Sequence, residues 1–294
     1  MNVNKKLDKI FKKAKRMHIN DNTKLVIMSD CHRGNGDNYD NFVKNQNIFK
    51  TALQYYYNNE FTYIELGDGD DMWEVKNFEH IIEVHLDSFK QLKKFNDSKR
   101  LIMIYGNHDL EKKSKEVLEK YFYKYYDKTT NKEEKLLDGL IVHESLVLNY
   151  KNYDIFLIHG HQVDFLNSTL WPISLFLVRY VWRNLERIIT KDPTSAARNY
   201  QVSKNTEKKL EDWSSKNNKI LIAGHTHRAI FPKIGQGLYF NDGSCIHPNG
   251  ITCLEIENGN ITLVRWEFEV NKNELISVKR KLLDGNIPII NFFK

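Results

Sequence analysis

Residues 24–32 read KLVIMSDCH. A short apolar run that ends in polar residues is the pattern of a buried strand. Directly behind it stand Asp30 and His32, two side chains able to bind metal ions or move protons. The arrangement recurs four times. FTYIEL (61–66) runs into Gly67-Asp68-Gly69-Asp70-Asp71, and LIMIY (101–105) into Gly106-Asn107-His108-Asp109. DIFLI (154–158) runs into His159-Gly160-His161, and KILIA (219–223) into Gly224-His225-Thr226-His227. In open α/β sheets, ligands bind beyond the carboxyl ends of the strands, so all five clusters can meet along one edge.

Outward from these strands the chain alternates. Residues 41–58 and 78–95 carry helical spacing. Past residue 105 the pattern turns β-rich, with strands at 140–142, 146–150 and 154–158. A long helical stretch fills 163–215, and strands resume at 220–223, 229–233, 238–241, 251–257 and 261–270. Apolar runs alternating with helical segments predict an α/β fold, a central sheet with helices on its faces. No repeat or linker divides the chain, so 1–294 reads as one domain with a helical insertion at about 163–215.

Composition narrows the class. Of 294 residues, 41% are hydrophobic and 12% aromatic, enough to build a core and exclude a disordered chain. The 44 Lys and Arg exceed the 38 Asp and Glu, which suits an anionic substrate without selecting one. Three cysteines with no C-x-x-C pair fit reduced thiols and a cytoplasmic protein. The basic N-terminus has no apolar segment behind it, which argues against a secretory signal. Residues 5–17 place Leu7, Ile10, Phe11 and Ala14 at helical spacing among lysines. This is either a surface helix with a solvated basic face or an arm for a membrane or nucleic acid; no motif specifies a nucleic-acid partner. Residues 165–189, FLNSTLWPISLFLVRYVWRNLERII, are unusually apolar, but Asn167, Pro172, Arg179 and Arg183 interrupt them, so they do not read as a membrane span. They fit a lid, a surface for acyl chains or a membrane (a peripheral contact), or ordinary core.

One D-x-H or G-H-x-H is usually surface decoration. Five such groups behind five strands, holding six of the chain's 11 histidines, are not. Gathering that many imidazoles and carboxylates without compensating charge would be costly, and divalent cations supply it. Asp30, His32, Asp68, Asn107, His159, His225 and His227 make seven candidate ligands. Seven ligands on one ion would suit calcium, which prefers oxygen; four imidazoles point to transition metals instead. Two ions sharing Asp68 fit better: Asp30, His32, Asp68 and one histidine on the first, Asp68, Asn107 and two histidines on the second. Such a pair polarises a bridging water and clamps a phosphoryl oxygen. With a hydroxide between them the site stays net positive and attracts phosphate.

The ordered set D-x-H, G-D-x-x-D, G-N-H-D, H-G-H, G-H-x-H, from Asp30 to His227, resembles the calcineurin-like metallophosphoesterases. The resemblance implies a four-layer α/β/β/α sandwich with a di-metal site between two sheets. It implies hydrolysis of phosphomonoesters, phosphodiesters or pyrophosphates by direct attack of metal-bridging hydroxide. It also assigns Asp30, His32, Asp68 and His227 to the first metal and Asp68, Asn107, His159 and His225 to the second. Manganese, iron, zinc and cobalt all suit these ligands. His108 looks like the general acid that protonates the leaving oxygen, with Asp71 as the acid that orients it.

The chemistry of His108 agrees, since imidazole titrates nearest neutrality; the alternative is that His108 and Asn107 donate hydrogen bonds to bound phosphate. Arg33 either pairs with a phosphate oxygen or is a surface residue, and His161 is placed to contact the substrate or stand behind the metal. Asp109 reads as a loop-orienting residue, and Cys31, alternating with the ligands, as pointing into the sheet. The run 67–73, GDGDDMW, is similar to the G-D-x-x-[DE]-x-W form of the UDP-diacylglucosamine hydrolases, which implies a pyrophosphate or lipid-linked substrate. Those enzymes carry G-N-R-D and H-G-D where this chain has Gly106-Asn107-His108-Asp109 and His159-Gly160-His161. The absent R-G after G-D-x-x-D sets the chain apart from protein serine/threonine phosphatases. The rival reading of the whole pattern is a scaffold that keeps the fold without catalysis.

Overall fold

A computed structural model describes residues 3–75, 77–164, 193–248, 250–270 and 274–293. Two sheets carry the fold. The larger runs from edge to edge as β14 (Ile276–Pro288), β13 (Asn260–Val270), β12 (Gly250–Glu257), β2 (Leu25–Met28), β3 (Thr62–Leu66), β4 (Leu101–Ile104) and β7 (Val142–His143). The smaller runs as β1 (Lys15–Ile19), β8 (Ser145–Tyr150), β9 (Tyr153–Ile158), β10 (Ile220–Ala223) and β11 (Tyr239–Asn241). In the first, β2, β3, β4 and β7 are parallel while β12, β13 and β14 are antiparallel additions; in the second, β9, β10 and β11 are parallel. A separate hairpin pairs β5 (Lys124–Asp127) with β6 (Lys132–Lys135).

The continuous apolar strands are buried on both sides, and their period of two divides them between layers. Leu25, Ile27, Ile64, Leu66 and Ile104 meet Leu146, Leu148, Ile155, Leu157, Ile220 and Ile222 between the sheets. The alternate residues Val26, Met28, Tyr63 and Met103 face outward onto α2 (Gln46–Asn58) and α4 (Leu86–Asp97), through Ile48, Phe49, Leu53, Phe89 and Leu92. On the far side, Val147, Phe156, Ile158, Leu221 and Ala223 pack on Leu7 and Ile10 of α1 (Val3–Lys13) and on Leu210 and Trp213 of α6 (Pro193–Asn217). The result is the expected α/β/β/α stack.

Several boundaries differ from the sequence reading. The helix of residues 5–17 stops at Lys13, and β1 follows because alternation turns Met17 and Ile19 into the core between the sheets. The stretch 78–95 splits into α3 (Phe78–Val84) and α4, since His85 at the break points inward to Asp40, Nε2 to Oδ2 2.8 Å. Residues 41–44 form a 3₁₀ turn before α2. Residues 229–233 contribute a single bridge, Ile230 to Asn241. The helix α5 (Lys115–Tyr121) and the strands β5, β6 and β14 have no counterpart in the reading. The apolar stretch 165–189 lies outside the described residues, and with it most of the expected insertion. No helix among the described residues is long and apolar enough to cross a membrane.

Candidate metal centre and phosphoester site

All five clusters sit immediately behind β2, β3, β4, β9 and β10, and the fold brings them to one place. Their backbone is unusual. Asp30, His32, Asp68, His225 and His227 have φ of 51°, 48°, 50°, 66° and 57°. Positive φ is uncommon outside glycine and costs about 1–3 kcal/mol per residue, so it persists only where surrounding contacts dictate it. Here the loops hold one another: Asp30 N–H donates to Gly67 O (3.0 Å), His32 N–H to Asp68 O (2.9 Å) and Gly224 N–H to His159 O (3.0 Å). Gly106 allows this crowding, since a Cβ there would lie 2.0 Å from Asp68 Oδ1.

The side chains converge in two groups. In the first, His227 Nε2 lies 3.0 Å from Asp30 Oδ1 and 3.3 Å from His32 Nε2, with His32 Nε2 3.7 Å from Asp30 Oδ1. In the second, His159 Nε2 lies 3.1 Å from Asp68 Oδ2, with His225 beside it. Asp68 Oδ2 is also 3.9 Å from His32 Nε2, so this carboxylate stands between the groups. Within each group the ligand atoms lie within 4.8 Å of one another; His32, Asp71 and His108 form a further such triple.

Whether these residues suit a cation is tested by their unsatisfied atoms. Asp30 Oδ1, Asn107 Oδ1 and His159 Nε2 are buried with no hydrogen-bond partner. Buried polar atoms are ordinarily paired, and these close approaches lack hydrogen-bond alignment. The outer atoms of His159 and Asp30, and of neighbouring Asp68, are tied down. His159 Nδ1 sits 2.8 Å from Leu66 O, which fixes the tautomer and leaves Nε2 with its lone pair inward. Asp30 Oδ2 accepts from His225 N–H (2.9 Å) and from the Ser29 hydroxyl, and Asp68 Oδ1 from His108 N–H (2.8 Å). The donor set fits divalent transition ions. Electrostatics agrees. Burial works against charge on His159, yet Asp68 and Asp30 push it up to about 9. Despite their own burial, Asp30 and Asp68 are held well below the carboxylate range by the surrounding histidines. A cation entering here competes with protons for the same lone pairs.

His108 borders a cavity of about 560 Å³ together with His32, Asp68, Asp71, Asn107, His225 and His227. Its Nδ1 lies 3.0 Å from Asp71 Oδ1. Burial opposes its charged form, but Asp71 and Asp68 raise it to about 10. Asp109 orients a loop: its carboxylate accepts from the N–H groups of Gly106 (2.6 Å), Gly69 (3.1 Å) and Asp68 (3.3 Å). Cys31 is buried in the core beneath the helices.

Two expected substrate contacts are placed elsewhere. Arg33 is fully buried and does not line the cavity; it pairs bidentately with Glu65 (2.9 Å each) and through Nε with Asp70 (2.6 Å). All three of its guanidinium nitrogens are engaged with buried carboxylates, so the structure makes it a support beneath the loop rather than a phosphate ligand. Buried Lys112 completes the cluster, 2.6 Å from Asp70 and 2.8 Å from Asp109. His161 is buried behind His159 and His225, where burial and those neighbours hold it well below the usual imidazole range, and it too is not among the described residues lining the cavity.

The sequence reading missed Asp242. It is buried behind Asp30, and the Ser29 hydroxyl sits between the two, 2.8 Å from Asp242 Oδ1. Burial and the Asp30 charge raise its carboxyl well above the usual range. The available signal was an N-D-G sequence (241–243) directly after an apolar strand. The Asp40–His85 pair was also missed; Asp40 accepts from the N–H groups of Gly34 (3.1 Å), Gly36 (2.9 Å) and Phe42 (3.1 Å) and so shapes the cavity loop at 34–41.

Solved structures that match this chain share little of its sequence. A predicted phosphoesterase from Streptococcus pneumoniae TIGR4 is 14% identical, with 88% of this chain and 97% of that one covered and a TM-score of 0.35. Vps29 of Chaetomium thermophilum is 11% identical, with 89% and 95% covered and a TM-score of 0.42. A putative 5'-nucleotidase from Staphylococcus aureus is 13% identical, with 89% and 54% covered and a TM-score of 0.32. No curated protein is a significant match to the sequence. Residues 23–259, which contain all five clusters and both sheets' central strands, match the calcineurin-like phosphoesterase superfamily domain, and the chain belongs to that superfamily.

Proposed function

We propose that this phosphoesterase hydrolyses a phosphomonoester or phosphodiester with two divalent cations, held by Asp30, His32, Asp68 and His227 on one side and Asp68, Asn107, His159 and His225 on the other. The observation that carries this reading is the set of buried, unsatisfied atoms, Asp30 Oδ1, Asn107 Oδ1 and His159 Nε2, with the outer atoms of Asp30 and His159 tied down. Bound cations would acidify water and draw charge from the phosphoryl oxygens. The chain's own residues do the rest. Water forms the new P–O bond, the P–O bond to the leaving group breaks, and the leaving oxygen takes a proton from His108 Nε2, the ring nitrogen that Asp71 leaves available. The outer wall of the cavity holds Asn35, Asp37, Tyr39, Asn41 and Glu74. Further phosphates on a substrate would approach Asp37 and Glu74, which favours a single phosphoryl centre over a pyrophosphate.

Chelator-treated protein reconstituted with manganese is expected to turn over bis-p-nitrophenyl phosphate or p-nitrophenyl phosphate, and to bind two ions per chain by mass spectrometry. Uptake of less than one ion, with no turnover of either ester, would favour the non-catalytic scaffold. His108→Ala is expected to lower kcat/KM by about 10²–10³-fold for an alkyl ester and about tenfold less for a p-nitrophenyl ester, whose leaving group needs little protonation. Equal losses measured on the two would remove the general-acid role.

A further inference from the structure

Three consecutive residues grip His108. Asp71 holds its ring at Nδ1 (3.0 Å), the Met72 N–H donates to its main-chain carbonyl (3.1 Å), and Trp73 stacks on its ring with centroids 4.6 Å apart and planes 24° from parallel. The edge of the imidazole meets His32 at 4.6 Å and 86°. Trp73 is 2% exposed and does not line the cavity. A hydrogen bond to Nδ1 alone leaves the ring free to swing about the Asp71 contact, whereas a stacked indole removes that freedom and fixes the plane in which Nε2 lies. We propose that Trp73 is a positioning residue: it fixes the plane of the His108 imidazole, while the Asp71 bond at Nδ1 fixes which edge faces out, and together they aim Nε2 at the leaving oxygen. The inference rests on the proposed role of His108 as proton donor. In that step the P–O bond to the leaving group breaks, its electron pair stays on oxygen, and the His108 Nε2 proton bonds to it.

The test uses the full chain reconstituted with manganese and a pair of monoesters, p-nitrophenyl phosphate and an alkyl phosphate. Trp73→Leu is expected to cut kcat/KM about 30-fold on the alkyl ester and less than fivefold on the aryl ester. Trp73→Phe, which keeps a stacking face, is expected to recover most of the loss, and this variant guards against a Leu variant that does not fold. In the double variant with His108→Ala, the Trp73→Leu penalty on the alkyl ester is expected to vanish, because it acts through the same ring. A readout independent of turnover is the proton NMR of the metal-free protein, where the indole's upfield shift of the His108 ring protons is expected to be lost in Trp73→Leu and kept in Trp73→Phe. Equal losses on the two esters, or penalties that add in the double variant, would overturn the proposal while leaving the phosphoesterase reading intact. A wild type that binds two ions and hydrolyses neither these monoesters nor bis-p-nitrophenyl phosphate would overturn that reading, and this proposal with it.

Discussion

Asp68→Asn is expected to lower kcat/KM by about 10³-fold or more, several kcal/mol of transition-state stabilisation, while the protein stays folded. Asp68 Oδ2 is the atom that reaches both ligand groups, 3.1 Å from His159 Nε2 and 3.9 Å from His32 Nε2. An amide in its place keeps the shape and the acceptor for the His108 N–H, but removes the charge and half the donor set of the bridging position. The metal-free variant is expected to melt below the wild-type temperature yet still unfold cooperatively, because the surrounding histidines that favour the Asp68 charge lose their partner. Manganese stoichiometry is expected to fall from two to one or none. Those two measurements separate a lost bridge from a lost fold. Wild-type turnover with two bound ions would refute the bridging assignment.

The largest effect on stability is expected from Arg33→Met, a loss of about 3–5 kcal/mol in urea unfolding. The guanidinium satisfies Glu65 through two hydrogen bonds and Asp70 through a third, all in a region closed to water. Removing it leaves two carboxylates buried, with the Lys112 ammonium shared between them and Asp109. Attraction to Arg33 and Lys112 outweighs burial and holds Asp70 down at about 2, which shows how strongly the pairing favours charge there. Arg33→Lys is expected to recover little, since an ammonium cannot reproduce the fork on Glu65. A residue that bound phosphate would give the opposite profile, a raised KM in a protein of unchanged stability, and that result would return Arg33 to the substrate.

The strands and the convergence of the Asp and His clusters behind them were legible because both follow simple periods. A buried strand must be apolar on both faces, and the polar residue that ends it is forced into the loop where ligands bind. Arg33 was legible too and was misread. Cys31 was assigned to the interior because it alternates with Asp30 and His32, and the same alternation turns Arg33 inward; Glu65, a lone charge inside the apolar run 61–66, was the sign of its partner. Other features carry no local signal. The break at His85 depends on Asp40, 45 residues away. Strands β5, β6 and β14 are mostly exposed, so burial imposes no pattern on them. Asp242 stands beside Asp30 only because β11 joins β10 in the folded sheet.

The candidate ligands hang from both layers of the stack: Asp30, His32, Asp68 and Asn107 follow strands of the larger sheet, His159, His225 and His227 strands of the smaller. The relative registration of the two layers therefore sets the size of the cage, and that registration is fixed by side chains such as Ile27, Ile64, Leu157 and Ile222, which touch no ion. A cation bound across the seam would act as a rivet, resisting any slide of one layer past the other. The grease between the sheets and the affinity for metal are, on this architecture, two measurements of one alignment.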